Sequence, residues 1–167
     1  ILNVTSDKCY ENNEWAWGYR ENDSLGGKDP YSSSKACAEL VGNSYRDSFL
    51  KELHNINLLS ARAGNVIGGG DWAEDRLIPD ALRAIDRSKP FLIRNPKAIR
   101  PWQHVLDLIS GYFQLIQSAY EREEDFRGAW NFGPNEENIA TVEKIVNILL
   151  KKIPTISFKL EQSSSAI

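Results

Sequence analysis

The chain has 167 residues, of which 41% are hydrophobic and 26% charged, and a formal charge of −3. That is the composition of a globular chain long enough to bury a core, and it excludes collagen-like or disordered classes. Charges of both signs are interspersed with no basic stripe, which excludes a nucleic-acid partner, and no apolar run approaches the ~20 residues that span a bilayer, which excludes a membrane partner.

Nothing resembles a signal peptide, and the expected location is cytoplasmic. Cys9 and Cys37 form no C-x-x-C pair and have no histidine at metal-ligand spacing. No metal is expected, and both read as free buried thiols. The chain contains no methionine, position 1 included, and opens directly on Ile1-Leu2-Asn3-Val4. It reads as a piece of a longer protein.

In chain order, Ile1 to Thr5 predicts a short buried strand ending in Thr5-Ser6-Asp7-Lys8, followed by a long aromatic loop to Pro30 that is expected to cover something. From Tyr31 to about Leu53, Ala36, Leu40, Val41, Tyr45 and Phe49 recur at threes and fours, the spacing of an amphipathic helix. Asp29-Pro30 marks its start, and His54-Asn55 its end. Ile56 to Ala63 is a second run of strand length, stopping at Gly64-Asn65. Strand, helix, strand predicts an α/β fold. Further on, Ile78 to Ile85 reads as helix, Phe91 to Arg94 as strand, and Leu106 to Tyr120 as helix with Ile109, Phe113, Ile116 and Tyr120 on one side. Ala129 to Phe132 reads as strand, and Thr141 caps a last helix, Val142 to Lys152. Residues 157–167, with Ser163-Ser164-Ser165, are expected to fray.

Tyr31-Ser32-Ser33-Ser34-Lys35 sets a phenol and an ammonium at i and i+4, neighbours on one helical face. A lysine so placed favours the tyrosinate that could accept a hydroxyl proton. Alone, Y-x-x-x-K occurs in many helices as a surface pair. Here it follows by 24 residues a strand-end hydroxyl cluster, and that arrangement resembles the active site of the short-chain dehydrogenase/reductase superfamily. Ser6-Asp7-Lys8 resembles the hydroxyl, aspartate and third ionisable residue of its hexose 4,6-dehydratases, with lysine in the third place as in the CDP-glucose branch. Four further segments are similar to that branch in order and spacing: Ala61 to Trp72, Asp75 to Asp80, Ile99 to Val105, and Trp130 to Pro134.

The resemblance covers about Ile1 to Leu150 and implies a fold: the C-terminal part of a doubly wound, Rossmann-type parallel sheet with a smaller α/β substrate domain. Residues 1–65 would close the NAD-binding part, and residues 66–156 would mainly bind the nucleotide sugar, with some segments returning to the sheet. The implied cofactor is NAD, contacted by Thr5, Tyr31, Lys35 and Ala63, and the implied substrate is CDP-glucose or a related nucleotide sugar. Ser6, Tyr31 and Lys35 would serve the oxidation at C4, Asp7 would be the acid for the C6 hydroxyl, and Lys8 the base at C5. Arginine suits bidentate recognition of a diphosphate. Substrate contacts therefore fall on Arg76 and Arg100, on Asn65 and Asn131 in the family's G-N and N-x-G segments, and on Leu77 and Arg94 beside the base. Arg83, Arg87 and Arg122 read as surface charges, and His54 and His104 as structural. Family members commonly dimerise through the Y-x-x-x-K helix, so a homo-oligomer is expected. The family's G-x-x-G-x-x-G loop is absent from these residues, so the isolated chain is expected to bind NAD incompletely and to be inactive. Two other readings stay open: another nucleotide-sugar dehydratase or 4-epimerase on this scaffold, and a non-catalytic nucleotide-sugar-binding remnant.

Overall fold

The computed structural model describes residues 1–53, 55–121, 126–135 and 139–160; His54, Arg122 and the run Ser163 to Ser165 lie outside them. The elements begin with β1 (Leu2–Val4), a 3-10 turn (Asp7–Cys9), α1 (Pro30–Tyr45) with a π-helical turn (Arg46–Leu50), β2 (Leu59–Ala63) and β3 (Val66–Ile67). Then come α2 (Leu77–Asp86), β4 (Phe91–Ile93), β5 (Ile99–Arg100), β6 (Gln103–His104) and α3 (Val105–Glu121). The last are β7 (Gly128–Phe132), β8 (Ala140–Thr141), α4 (Val142–Lys152) and β9 (Phe158–Leu160). The chain divides into two compact units, Ile1–Val66 with Gln103–Gly133, and Ile67–Trp102 with Pro134–Ile167.

In the first unit β1, β2 and β7 form a parallel sheet, with Leu2 opposite Leu59, Leu59 opposite Gly128 and Ala63 opposite Phe132. The central strand is buried at all five positions, as expected of a parallel strand covered on both faces. Side chains alternate along it. Leu59 packs with Leu115 and Ala119 of α3 and with Leu2, Trp130 and Phe132. Ser60 and Arg62 face the other way, toward α1, whose buried residues are Ser32, Ala36, Glu39 and Gly42. At Gly111 an added Cβ would sit 2.8 Å from the Phe132 ring, so the close approach of α3 to β7 at that point requires a residue without a side chain.

The apolar stripes of two helices lie outside this packing. Leu40, Val41, Tyr45 and Phe49 of the first helix are exposed, and so are Ile109, Phe113, Ile116 and Tyr120 of α3. Periodicity locates an apolar stripe, whereas the sheet face that α1 meets is polar and selects its small and charged side. Cys9 is buried but Cys37 is exposed on α1, so only one thiol matches the buried reading. Residues 158–160, expected to fray, pair in parallel with β4.

The second unit has its own core of Ala81, Phe91, Ile93 and Val146, with Leu77, Ala84, Val142, Leu149 and Leu150 packed around it. α4 starts at Thr141, whose side chain accepts from the Lys144 amide. β5 and β8 pair antiparallel, Ile99 with Thr141 and Arg100 with Ala140. Among the described residues no helix is long and apolar enough to cross a membrane.

Candidate active site

The carboxyl ends of the parallel strands are where open α/β sheets present ligand sites. At the end of β1, the Thr5 amide makes the last ladder bond to the Ala61 carbonyl at 2.9 Å, and the chain then turns. Ser6 shapes the turn: its Oγ accepts from the Lys8 amide at 3.2 Å and donates to Asp7 Oδ1 at 3.0 Å. This Ser6-Asp7-Lys8 turn packs against α1. Ser6 is buried, Asp7 half-buried and Lys8 exposed.

α1 starts under strong local control. Asp29 caps it, accepting from the Ser32 amide at 3.0 Å and the Ser32 hydroxyl at 2.6 Å, with Pro30 in the first turn. Those bonds, aided by the charge of Lys8, hold the Asp29 carboxyl below its ordinary range. Gly27 lies so close that an added Cβ would meet the Ser33 amide nitrogen at 2.5 Å. Within that first turn Tyr31 is 55% exposed, its phenol available to a ligand, and the Lys35 ammonium lies 5.8 Å from the centre of its ring. The predicted phenol and ammonium pair is therefore formed, on an element packed against the predicted serine, aspartate and lysine.

Beneath it runs a buried polar network. Glu39, with no exposed surface, accepts from the Thr5 hydroxyl and from Arg62 Nη2 at 2.9 Å. Arg62 Nη1 donates to the Tyr10 hydroxyl at 2.8 Å and the Glu21 carbonyl at 2.9 Å, and its guanidinium lies over the Tyr10 ring at 5.0 Å. Tyr10 in turn donates to Asn131 Oδ1 at 2.6 Å. Burial alone would raise the Glu39 carboxyl, but the Arg62 and Thr5 hydrogen bonds and the Arg62 charge outweigh it and hold it below the usual range. Burial opposes the charge of Arg62 as well, and the bonds to Glu39 and Tyr10 win, raising it above its ordinary value. Burial pushes the neighbouring Cys9 thiol up to about 11, which keeps it protonated and unreactive.

The other predicted residues of this unit fall around the network. Ala63 is buried at the end of β2, and the Asn65 carbonyl accepts from the Gln103 amide at 3.1 Å. Asn131 is exposed, yet its amide group donates to the Tyr19 carbonyl and its backbone to Glu21 Oε1, both at 2.9 Å. The aromatic loop thus covers the end of β7, Tyr19 stacking on Tyr10 at 5.2 Å. Thr5, expected at the cofactor, has its hydroxyl committed to Glu39. His104 Nδ1 accepts from the Leu106 amide at the start of α3.

Glu39, Arg62 and Tyr10 were not among the residues singled out from the sequence. Signals pointed to the first two: Glu39 continues the Tyr31 and Lys35 spacing by one more step of four, and Arg62, a charge inside a buried strand, requires a partner.

In the second unit Leu77, Arg94 and Arg100 line one cavity of about 450 Å³. Arg83, Arg87 and Lys89 line it too, against the acids Asp75 and Asp80, so two arginines read as surface charges belong to its cationic wall. Arg94 pairs with Asp75 at 2.7 Å, and Arg83 with Asp80 while also holding the Trp72 and Ala73 carbonyls. Arg76 pairs with Asp71 at 2.8 Å outside that lining. The wall suits an anionic ligand with several oxygens. Among the described residues no cluster of histidine, cysteine or acidic side chains could hold a metal.

Comparison with known proteins identifies the family and the fold. The sequence model of the NAD dependent epimerase/dehydratase family matches residues 1–133. CDP-glucose 4,6-dehydratase of Salmonella typhimurium is 56% identical over 151 residues, 88% of this chain and 42% of that protein. The crystal structure of dTDP-glucose 4,6-dehydratase from Bacillus anthracis in complex with NAD superimposes with a TM-score of 0.70 at 23% identity, over 96% of this chain and 49% of that one. A UDP-N-acetylglucosamine 4-epimerase from Methanobrevibacter ruminantium gives 0.73 at 20%, over 98% and 51%. At those identities the two structures speak for the Rossmann-type fold. The chain spans less than half the length of the curated relatives it matches.

Proposed function

The chain belongs to the NAD dependent epimerase/dehydratase family, and on that premise we propose that the whole protein is a nucleotide-sugar 4,6-dehydratase converting CDP-glucose to CDP-4-keto-6-deoxyglucose and water. The observation that carries this reading is the packing of the Ser6-Asp7-Lys8 turn against the helix bearing Tyr31 and Lys35, at the carboxyl end of a parallel sheet. Its similarity to the Salmonella typhimurium enzyme supports the dehydratase and CDP assignments.

NAD fits the residues present, since an exposed phenol with an ammonium beside it stands at the sheet end where a nicotinamide ring and a sugar would meet. Tyr31, Lys35 and Ala63 are the residues that would hold it. When bound, NAD would supply the acceptor for the C4 hydride and its donor to C6, with no net oxidation. Tyr31, with the Lys35 ammonium 5.8 Å from its ring centre, removes the C4 hydroxyl proton, with Ser6 hydrogen-bonded to the same oxygen. The resulting ketone acidifies C5. Lys8 takes the C5 proton, Asp7 donates one to the departing C6 oxygen, which leaves as water, and Lys8 returns its proton to C5 as hydride reaches C6.

Arg100 and Arg94 of the cationic cavity, with Arg76, Asn65 and Asn131, are the residues we assign to the diphosphate and sugar, and Leu77 to the base. The exposed Leu40, Val41, Tyr45 and Phe49 support a homo-oligomer through α1, and the whole enzyme is assigned to the cytoplasm. A 4-epimerase needs no acid and base at C6 and C5, so Asp7 and Lys8 favour the dehydratase. The test is the full-length protein with NAD and a panel of CDP-, dTDP- and UDP-glucose, read by the ultraviolet signal of a 4-keto-6-deoxy sugar. Product from CDP-glucose is expected; its absence there sinks the assignment.

A further inference from the structure

Tyr31, Lys35 and Glu39 stand at i, i+4 and i+8 on α1, so they form one stripe along its face. The stripe descends from solvent to core: Tyr31 is 55% exposed, Lys35 half-buried and Glu39 fully buried. At its foot the Glu39 carboxylate reaches two other elements, accepting from Thr5, the residue before Ser6, and from Arg62 of β2. A charge pair is a poor choice if holding helix to sheet were its purpose. Desolvation consumes most of the Coulomb gain, and apolar residues of similar volume do as well or better. What a carboxylate adds is direction, because its bonds fix where along the helix axis the partner hydroxyl must lie. The Thr5 hydroxyl donates to Glu39, and Thr5 also closes the β1 ladder immediately before the Ser6-Asp7-Lys8 turn.

We propose that Glu39, through the Thr5 hydroxyl, is a positioning residue that sets the register between the helix carrying Tyr31 and Lys35 and the strand end carrying Ser6, Asp7 and Lys8. Glu39 touches neither substrate nor cofactor in this role. The inference rests on the dehydratase reading for its consequence in catalysis, though not for the link itself.

The link can be cut without unpairing the buried charges. Thr5→Val removes only the hydroxyl and leaves Glu39 on Arg62, whereas Thr5→Ser keeps the donor. In the full-length protein, Thr5→Val is expected to lower kcat about 10- to 100-fold, as a misplacement near 1 Å does. KM for the nucleotide sugar is expected to stay within about twofold, and Thr5→Ser, which keeps the donor, is expected to recover kcat about tenfold or more over Thr5→Val. A second readout needs no turnover: amide hydrogen exchange across residues 6–10 should rise in Thr5→Val and remain at wild-type level in Thr5→Ser. If Thr5→Val does not fold, Glu39→Asp keeps the charge for Arg62 but withdraws from Thr5, and the same fall in kcat at constant KM is expected. Unchanged kcat and exchange, or a loss that Thr5→Ser shares, overturns the proposal. A wild-type enzyme that makes no ketosugar overturns the function instead, and the exchange measurement still decides the link.

Discussion

Replacing Glu39 by leucine tests how the buried network is held together. The variant would leave the Arg62 guanidinium, whose side chain is 2% exposed, without a counter-ion. Removing one partner of a buried pair costs about 3–5 kcal/mol. Arg62 keeps two neutral acceptors, the Tyr10 hydroxyl at 2.8 Å and the Glu21 carbonyl at 2.9 Å, which favours the lower end, about 3 kcal/mol. That loss appears as a lower Tm. The double variant Glu39→Leu with Arg62→Met removes both charges. It forfeits the two neutral hydrogen bonds of Arg62, about 1 kcal/mol each, and should lie within about 2 kcal/mol of wild type, above the single variant. Circular dichroism melts of the three full-length proteins at pH 7 provide the comparison. A single variant within about 1 kcal/mol of wild type, or a double variant no more stable than the single, would refute the account of Glu39 as the obligatory counter-ion of Arg62.

The same pair predicts a pH dependence. Glu39 is held below its ordinary range in the folded state, so its contribution is complete above the unfolded carboxyl value of about 4.3 and is lost as pH falls toward the depressed folded value. Melting temperature should therefore drop below about pH 5 in wild type and drop less in the Glu39→Leu, Arg62→Met double variant; parallel curves would contradict the assignment. In steady-state kinetics Tyr31→Phe should reduce kcat about 10²- to 10⁴-fold with little change in KM. Arg100→Ala should instead raise KM, by about 10- to 100-fold for a lost charged hydrogen bond. Exchange of those two phenotypes would reverse the roles assigned to the two units.

Much of the local geometry around the candidate residues was legible because its determinants are local. Asp29 caps α1 through Ser32, and Ser6 shapes the Asp7–Cys9 turn through Lys8, bonds that span two or three residues and are written in adjacent letters. The spacing of Tyr31 and Lys35 is likewise a property of one helix. The buried faces were not legible in this way. The stripe of Leu40, Val41, Tyr45 and Phe49 is a correct amphipathic pattern, yet α1 buries Ser32, Ala36, Glu39 and Gly42 because the sheet opposite carries Ser60 and Arg62. In the second unit, Arg83 and Arg87 look like surface charges until α2 and the strand Phe91–Ile93 enclose a cavity with them on its wall.

The sequence by itself determined the α/β alternation, the helix starts and the phenol, ammonium, hydroxyl and carboxyl groups at the strand end, since each depends on neighbours within one turn of chain. Only the tertiary structure decided that Glu39 joins Thr5 to Arg62, 34 and 23 residues away in sequence. A buried carboxylate is stable only where distant donors converge on it, and no periodicity along one chain specifies that convergence.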